Sequence, residues 1–149
     1  GALSEDKNPA ASKRRAAAPE ILVVGGGTAG LSAALHAAQT GSQVWLVERE
    51  NVLGGRGLYD TSVIEVPGNK TKTCRCDYVN KLAQEVERST NCRVLKRATA
   101  FAWYDEGILA VSRPAEFWEM KPGRVIVATG SYENPMIFAG YLRSVPCSV

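Results

Sequence analysis

Three glycines at fixed spacing are the residues of this chain best suited to chemistry. Gly25, Gly27 and Gly30 satisfy the pattern G-x-G-x-x-G, in which glycine lets the backbone approach a pyrophosphate and lets a helix pack closely on a strand. If a helix begins at residues 28–30, its free N–H groups and positive dipole end attract phosphate. The pattern predicts a dinucleotide site, and a glycine-rich turn without a ligand is the alternative.

A carboxylate follows at the distance that such a site requires. Glu48 lies 18 residues after Gly30, close to the ~20-residue offset at which an acidic side chain accepts hydrogen bonds from the adenosine ribose. Its charge disfavours the 2′-phosphate of NADP. A solvated glutamate at a strand end is the alternative for Glu48, and Arg49 could stack on adenine or be a surface charge.

The elements around these residues predict a β-α-β unit. Ile21–Val24 is a continuous apolar run typical of a buried parallel strand. Residues 28–40 are rich in alanine and leucine, which favour a helix, and Gly41 is placed to end it. Residues 43–47 form a second β-rich run that closes on Glu48.

Further along the chain, hydrophobic spacing predicts one more helix and a group of strands. Asp77 is placed to cap a helix in which Tyr78, Val79, Leu82 and Val86 have helical spacing. The β-like runs are 93–96, 99–104, 108–111, 116–120 and 124–128. The three middle runs predict a small antiparallel meander. The fold class is therefore α/β, a Rossmann-type domain with a parallel sheet and an inserted antiparallel β-meander.

Composition excludes several classes of protein. A chain of 149 residues with 45% hydrophobic residues fits one globular domain and is too short for a two-domain flavoenzyme. The charge of +3 is modest and partly carried by residues 13–15, so nucleic-acid binding is not expected. No apolar run approaches the ~20 residues of a membrane span.

The cysteines and the single histidine do not predict a metal site. His36 lies within the first predicted helix, where a structural or surface role is expected. The four cysteines lack C-x-x-C spacing and histidine neighbours, so a reduced, cytoplasmic protein without a metal site is expected. They are Cys74, Cys76, Cys92 and Cys147.

Several motifs together resemble the FAD domain of the glutathione-reductase-like flavoproteins, which bind two dinucleotides. They are residues 23–30, Glu48 followed by Gly-Gly-Arg at 54–56, and residues 125–130, which end in Ala-Thr-Gly. In that family the Ala-Thr-Gly turn approaches the cofactor again. The pair Cys74 and Cys76 does not match the redox pair of the disulfide reductases in place or spacing, so disulfide reduction is not expected.

Within this group, residues 93–95, 98–105 and 128–140 resemble the α subunits of heteromeric amine and imino-acid oxidoreductases. These are heterotetrameric sarcosine oxidase, dye-linked proline dehydrogenase, opine oxidase and the hydrogen cyanide synthase flavoprotein. The relatives continue beyond Gly140 into a second nucleotide-binding domain. The resemblance implies an FAD-binding subunit, or a truncated form of a longer one, beside a catalytic flavoprotein subunit. A structural subunit that holds NAD or ATP is the alternative.

The expected organisation is a tail or linker at residues 1–20, a dinucleotide-binding domain at 21–140 and a tail at 141–149. No residue is assigned as a catalytic acid or base. The candidate cofactor-binding residues are Gly25, Gly27, Thr28, Ala29, Gly30, Glu48, Arg49, Gly55, Arg56, Thr99, Thr129 and Gly130.

Overall fold

The computed structural model describes residues 13–131, which are arranged as ten strands, two α-helices and two 3₁₀ helices. The strands are β1 (Lys13–Ala17), β2 (Ile21–Val24), β3 (Val44–Val47), β4 (Val63–Glu65), β5 (Lys72–Cys74), β6 (Cys92–Leu95), β7 (Thr99–Tyr104), β8 (Ile108–Arg113), β9 (Glu116–Met120) and β10 (Arg124–Val127). The α-helices are α1 (Thr28–Gln39) and α2 (Arg75–Arg88), and the 3₁₀ helices are Gly55–Tyr59 and Asp105–Gly107.

A four-stranded parallel sheet forms the centre of the fold, in the order β10-β2-β3-β6. Leu22 and Val23 of β2 are both fully buried, one on each face of the sheet. This burial explains why the strand is a continuous apolar run rather than an alternating one. The parallel sheet and the helix α1 between β2 and β3 confirm the predicted α/β, Rossmann-type fold.

The two faces of the sheet are covered by different layers. Helices α1 and α2 cover the first face, and β7, β8 and β9 cover the second. The core on the helix side includes Val23, Leu31, Ala34, Leu46, Leu53, Val79, Leu82 and Val86. The core on the other side includes Leu22, Val47, Leu95, Leu109, Val111, Trp118 and Met120.

The second layer is the predicted meander with one additional strand. Strands β7, β8 and β9 pair antiparallel, as the sequence predicts. Strand β1 then pairs parallel with β9, although its residues lie in the stretch expected to be a tail. Arg15 adds side-chain contacts to this backbone pairing, because its Nε lies 3.0 Å from Oε1 of Glu116 and its guanidinium lies over the Trp118 ring. The domain limits stay predictions, and residues 1–12 and 132–149 lie outside the described part.

The segment before α2 is more regular than its sequence suggests. Strands β4 and β5 form a short hairpin, with Val63 opposite Cys74. Helix α2 then begins at Arg75 with Cys74 as its N-cap, so the prediction that Asp77 caps this helix is wrong. Asp77 lies in the first turn instead, where a negative charge complements the helix dipole.

A disulfide joins Cys74 and Cys76 across the start of α2. The expectation of fully reduced cysteines is therefore wrong for this pair. The corner between β5 and α2 brings their Cα atoms to 5.4 Å, a separation that a disulfide can bridge. Cys92 is free, and Cys147 lies outside the described residues.

Neither α-helix in residues 13–131 has the length and apolar character needed to span a bilayer.

The layered core predicts that the truncation Leu22→Ala strongly lowers the free energy of unfolding. Leu22 is fully buried between the parallel sheet and the meander, so its loss leaves a cavity and lowers the free energy of unfolding by about 2–5 kcal/mol. Urea unfolding followed by circular dichroism measures this change. In the matched control Val63→Ala the side chain is 70% exposed, and the change stays within about 0.5 kcal/mol. Equal destabilisation of the two variants would contradict the layer arrangement.

Candidate dinucleotide site

The turn after β2 is built on a glycine that no other residue can replace without strain. Gly25 has φ 108°, in the left-handed region that favours glycine. Its N–H donates to the carbonyl of Val47 at 2.8 Å. A Cβ at this position would overlap the carbonyl oxygen of Ala128. The turn therefore holds the ends of β2, β3 and β10 together.

Gly30 allows α1 to start directly above this turn. A Cβ on Gly30 would overlap the carbonyl oxygen of Gly25, so the helix and the end of β2 can approach only because the side chain is missing. This is the close packing that the third glycine of the motif predicts.

Gly27 differs from the other two glycines because the space beside it is open. An added Cβ would meet no atom of residues 13–131 within 4 Å, and its φ of −75° and ψ of −176° are ordinary extended backbone. Gly27 is the N-cap of α1, and its carbonyl accepts the N–H of Leu31 at 2.9 Å. No side chain caps this end, and no acidic side chain lies in the first turn. We call the open turn at residues 27–30 the cradle. It offers space, free N–H donors and the positive end of the helix dipole, all of which suit a pyrophosphate.

Glu48 closes the glycine turn, a role that the spacing alone did not predict. Its Oε2 accepts the N–H of Gly26 at 2.6 Å, and its Oε1 accepts the N–H of Glu50 at 2.7 Å. The backbone is fixed as well, because the Ala98 N–H donates to the Glu48 carbonyl at 2.9 Å. A carboxylate has about four lone-pair sites. Glu48 can therefore still accept hydrogen bonds from ribose hydroxyls.

A second glycine loop packs against the first. The N–H of Gly54 donates to the Gly26 carbonyl at 2.7 Å, and Gly54 pairs with Gly27 as an isolated β-bridge. A Cβ on Gly55 would lie 3.4 Å from the Cα of Gly27. Gly55, and with it the exposed Arg56 that follows in the chain, is therefore brought beside the open cradle.

The end of β10 completes the rim of the site. The N–H of Ala128 donates to the Val24 carbonyl at 2.8 Å. The backbone nitrogen of Thr129 lies 3.1 Å from the place of a Cβ on Gly25. Gly130 follows with φ 75° and is exposed. The Ala-Thr-Gly turn thus lies beside the first glycine turn.

Two candidate residues stand apart from the cradle. Arg49 is exposed, and its Nε lies 3.2 Å from Oε1 of Glu50. Thr99 is exposed at the start of β7, directly after Ala98, and is therefore near the backbone of Glu48 rather than the glycines. Neither residue forms a hydrogen bond or ion pair with the described residues of the glycine turn.

A parallel sheet, a helix begun by a glycine turn and a carboxylate after the next strand define a dinucleotide-binding Rossmann domain of the flavoprotein oxidoreductase type. Residues 19–146 match the family described as pyridine nucleotide-disulphide oxidoreductase. The chain belongs to this family, and its members' fold implies binding of FAD or NAD.

Individual similar proteins support the resemblance to sarcosine oxidase α subunits and to proline dehydrogenase. Sarcosine oxidase subunit alpha of Rhizobium meliloti is 33% identical over 94% of this chain, and the Corynebacterium sp. (strain U-96) protein of the same name is 27% identical over 93%. The crystal structure of L-proline dehydrogenase from P. horikoshii superposes with a TM-score of 0.71 and 26% identity over 85% of this chain.

These similarities confirm the predicted relation to sarcosine oxidase α subunits and to proline dehydrogenase. The matches cover only part of each relative. The chain spans 15% of the length of each sarcosine oxidase relative and 25% of the proline dehydrogenase chain.

The contacts of Glu48 predict that Glu48→Gln destabilises the chain without nucleotide. The amide has one acceptor oxygen and no charge, so it cannot satisfy both N–H groups, and the free energy of unfolding falls by about 1.5–3 kcal/mol. Glu50→Gln is the matched control, because within residues 13–131 the Glu50 side chain pairs only with the exposed Arg49. Its change stays within about 0.5 kcal/mol in urea unfolding. Equal stability of Glu48→Gln and the control would show that the carboxylate does not hold the turn.

Proposed function

We propose that this chain binds FAD at its two glycine loops, as the nucleotide-binding subunit or fragment of a flavin-dependent amine or amino-acid oxidoreductase. The observation that carries the proposal is the open cradle at Gly27, directly at the N-terminus of α1. Gly25 and Gly30 are closed by contacts with the protein itself, whereas no atom in the described part of the chain lies within 4 Å of a Cβ on Gly27. This difference fits a motif in which one glycine makes room for a ligand.

Charge and hydrogen bonding support a dinucleotide with a free ribose. The first-turn N–H groups of Thr28, Ala29 and Gly30 would hold the pyrophosphate. The remaining lone pairs of Glu48 would accept the ribose hydroxyls of the adenosine, and its negative charge disfavours a 2′-phosphate. Arg56 would add a positive charge beside the phosphates.

FAD would supply hydride chemistry when bound, and the chain would position it. Thr129 and Gly130 would line the cofactor opposite the second glycine loop. Arg49 and Thr99 are proposed as contacts of the adenosine half, since both lie near Glu48 in the chain or in space. No residue of this chain is proposed as a catalytic acid or base.

The substrate class and the partner are proposed from the relatives. Sarcosine and proline, named in those proteins, are both amino acids with a secondary amine. Two relatives are named as subunit alpha, which supports assembly of this chain with a catalytic flavoprotein subunit in a hetero-oligomer. The cytoplasmic location expected from the sequence stays a prediction.

A second candidate function follows from what the site can recognise. The glycine loops and Glu48 are suited to a pyrophosphate and a ribose, which NAD shares with FAD and which ATP supplies as well. NAD or ATP would then be a structural ligand that stabilises the subunit by mass action while the partner carries the catalysis.

The absorption spectrum of the purified chain separates these candidates. If the chain holds FAD, it is yellow, and denaturation releases FAD that mass spectrometry identifies. A colourless chain that releases NAD or ATP would contradict the flavin assignment and favour the structural nucleotide. Reconstitution of a colourless, empty chain with FAD, followed by gel filtration, is the control for loss of cofactor during purification.

Gly27→Ala tests the position of the site. The added methyl group meets no atom of the described residues within 4 Å and suits the extended backbone. The gain in backbone entropy is opposed by the weaker preference of alanine for the N-cap position, so the free energy of unfolding without nucleotide changes by less than about 1 kcal/mol. Nucleotide affinity falls roughly tenfold or more, because about 1.4 kcal/mol of lost contact suffices for that factor. His36→Ala, an exposed change on the same helix, keeps wild-type affinity in calorimetric titration. Unchanged affinity of Gly27→Ala would place the nucleotide elsewhere.

A further inference from the structure

The disulfide between Cys74 and Cys76 lies outside the nucleotide cradle, at the corner where β5 turns into α2. Both cysteines are partly exposed, so a small thiol can reach them. The bond closes a loop of only three residues, and so short a loop removes less entropy from the unfolded chain than a long one. We therefore expect the disulfide to affect the local structure of the corner more than the overall stability of the chain.

The corner is tied to the segment that follows the second glycine loop. The Arg75 N–H donates to the Ser62 carbonyl at 2.9 Å, and the Cys76 N–H donates to the Asp60 carbonyl at 3.0 Å. The side chains of Arg75 and Asp60 form an ion pair at 3.1 Å. Because Asp60 directly follows the 3₁₀ helix Gly55–Tyr59, these contacts link the disulfide corner to the end of that helix.

Helix α2 also packs directly on the second glycine loop near its N-terminus. Val79, three residues after Cys76, is fully buried. Its Cγ1 lies 2.9 Å from the place of a Cβ on Gly54, and its Cγ2 lies 2.7 Å from the place of one on Gly57. A Cβ on Gly57 would also lie 2.8 Å from Oγ1 of Thr28, in the first turn of α1. Packed atoms thus connect the disulfide to the cradle.

We propose that Cys74 and Cys76 form a thiol–disulfide exchange site for low-molecular-weight thiols, and that its oxidised state orders residues 54–57 for nucleotide binding. The second half rests on the proposed function. In the exchange, a dithiol reduces the Cys74–Cys76 bond through a mixed disulfide. The protein bond breaks and the disulfide of the reagent forms. Two electrons pass to the protein, and Cys74 and Cys76 each gain a proton.

This assignment fits the chemistry of the third cysteine in the described part of the chain. Burial raises the pKa of the Cys92 thiol to about 11, so it stays protonated at neutral pH and is a poor partner for exchange. Where the surroundings are reducing, disulfides in proteins are mostly transient or redox-sensing. The exchange proposed for the partly exposed Cys74–Cys76 pair would be of that kind.

The test compares oxidised chain with chain reduced by dithiothreitol, using ADP as the probe. Reduction is expected to lower ADP affinity roughly fivefold, at the lower end of couplings between linked sites. It should also speed amide hydrogen exchange at residues 54–57 and 76–79. A chelator is present throughout, because the freed thiols and Asp77 could otherwise hold a metal ion.

Two variants separate the effect of the Cys74–Cys76 pair from that of Cys92. The double variant Cys74→Ser/Cys76→Ser should have the low affinity with and without dithiothreitol, whereas Cys92→Ser should keep the wild-type dependence. Equal ADP affinity and equal exchange rates in both redox states of the wild-type chain would overturn the proposal. Faster exchange on reduction without ADP binding in either state would overturn the proposed function and the coupling to nucleotide, while the exchange site would stand.

Discussion

The contact between the carbonyl group of Gly25 and the Cα of Gly30 is the constraint on which the rest of this structure depends. No side chain fits between the two residues, so α1 starts directly on the end of β2. That placement puts the N-terminus of α1, with its free N–H groups, beside the end of β2. It also leaves Gly27, between the two closed glycines, facing open space. The candidate site is thus an open position flanked by the tightly packed Gly25 and Gly30.

The parallel sheet then brings distant parts of the chain to this turn. The carboxyl ends of parallel strands lie at one edge of a sheet, so the residues after β3 and β10 meet the turn after β2. Glu48 uses this position to accept the N–H of Gly26, and Thr129 lies beside Gly25. The second glycine loop joins through the Gly54 N–H. Most of the groups that line the candidate site are thus backbone groups, and the Glu48 carboxylate holds the turn that carries them.

The sequence predicted the regular elements of this fold well because their patterns are local. The apolar run Ile21–Val24, the alanine-rich helix after it and the alternating strands of the meander each carry their own periodicity. Strand β1 was not predicted, since a run of Lys, Arg and Ala becomes a strand only by pairing with β9. The short hairpin β4–β5 has too few residues for a recognisable alternation.

The sequence predicted the candidate site only at positions where a motif requires a certain residue type for its backbone geometry or spacing. The three glycines and Glu48 come together as their spacing indicates. The hydrogen bond of Glu48 to Gly26 was not predictable, because it depends on how two loops meet. The Cys74–Cys76 bond was not predicted either, since C-x-C lacks the spacing of the common redox motifs and is set by the corner before α2.

A titration of ¹⁵N-labelled chain with ADP, followed by two-dimensional NMR, tests most directly whether the glycine cradle binds a nucleotide. ADP carries the pyrophosphate and ribose that the candidate dinucleotides share, so the result does not depend on which of them is the natural ligand. The amide signals of residues 26–30 and 54–56, with that of Glu48, should shift together and saturate. Shifts confined to other parts of the chain, or none at millimolar ADP, would contradict the account.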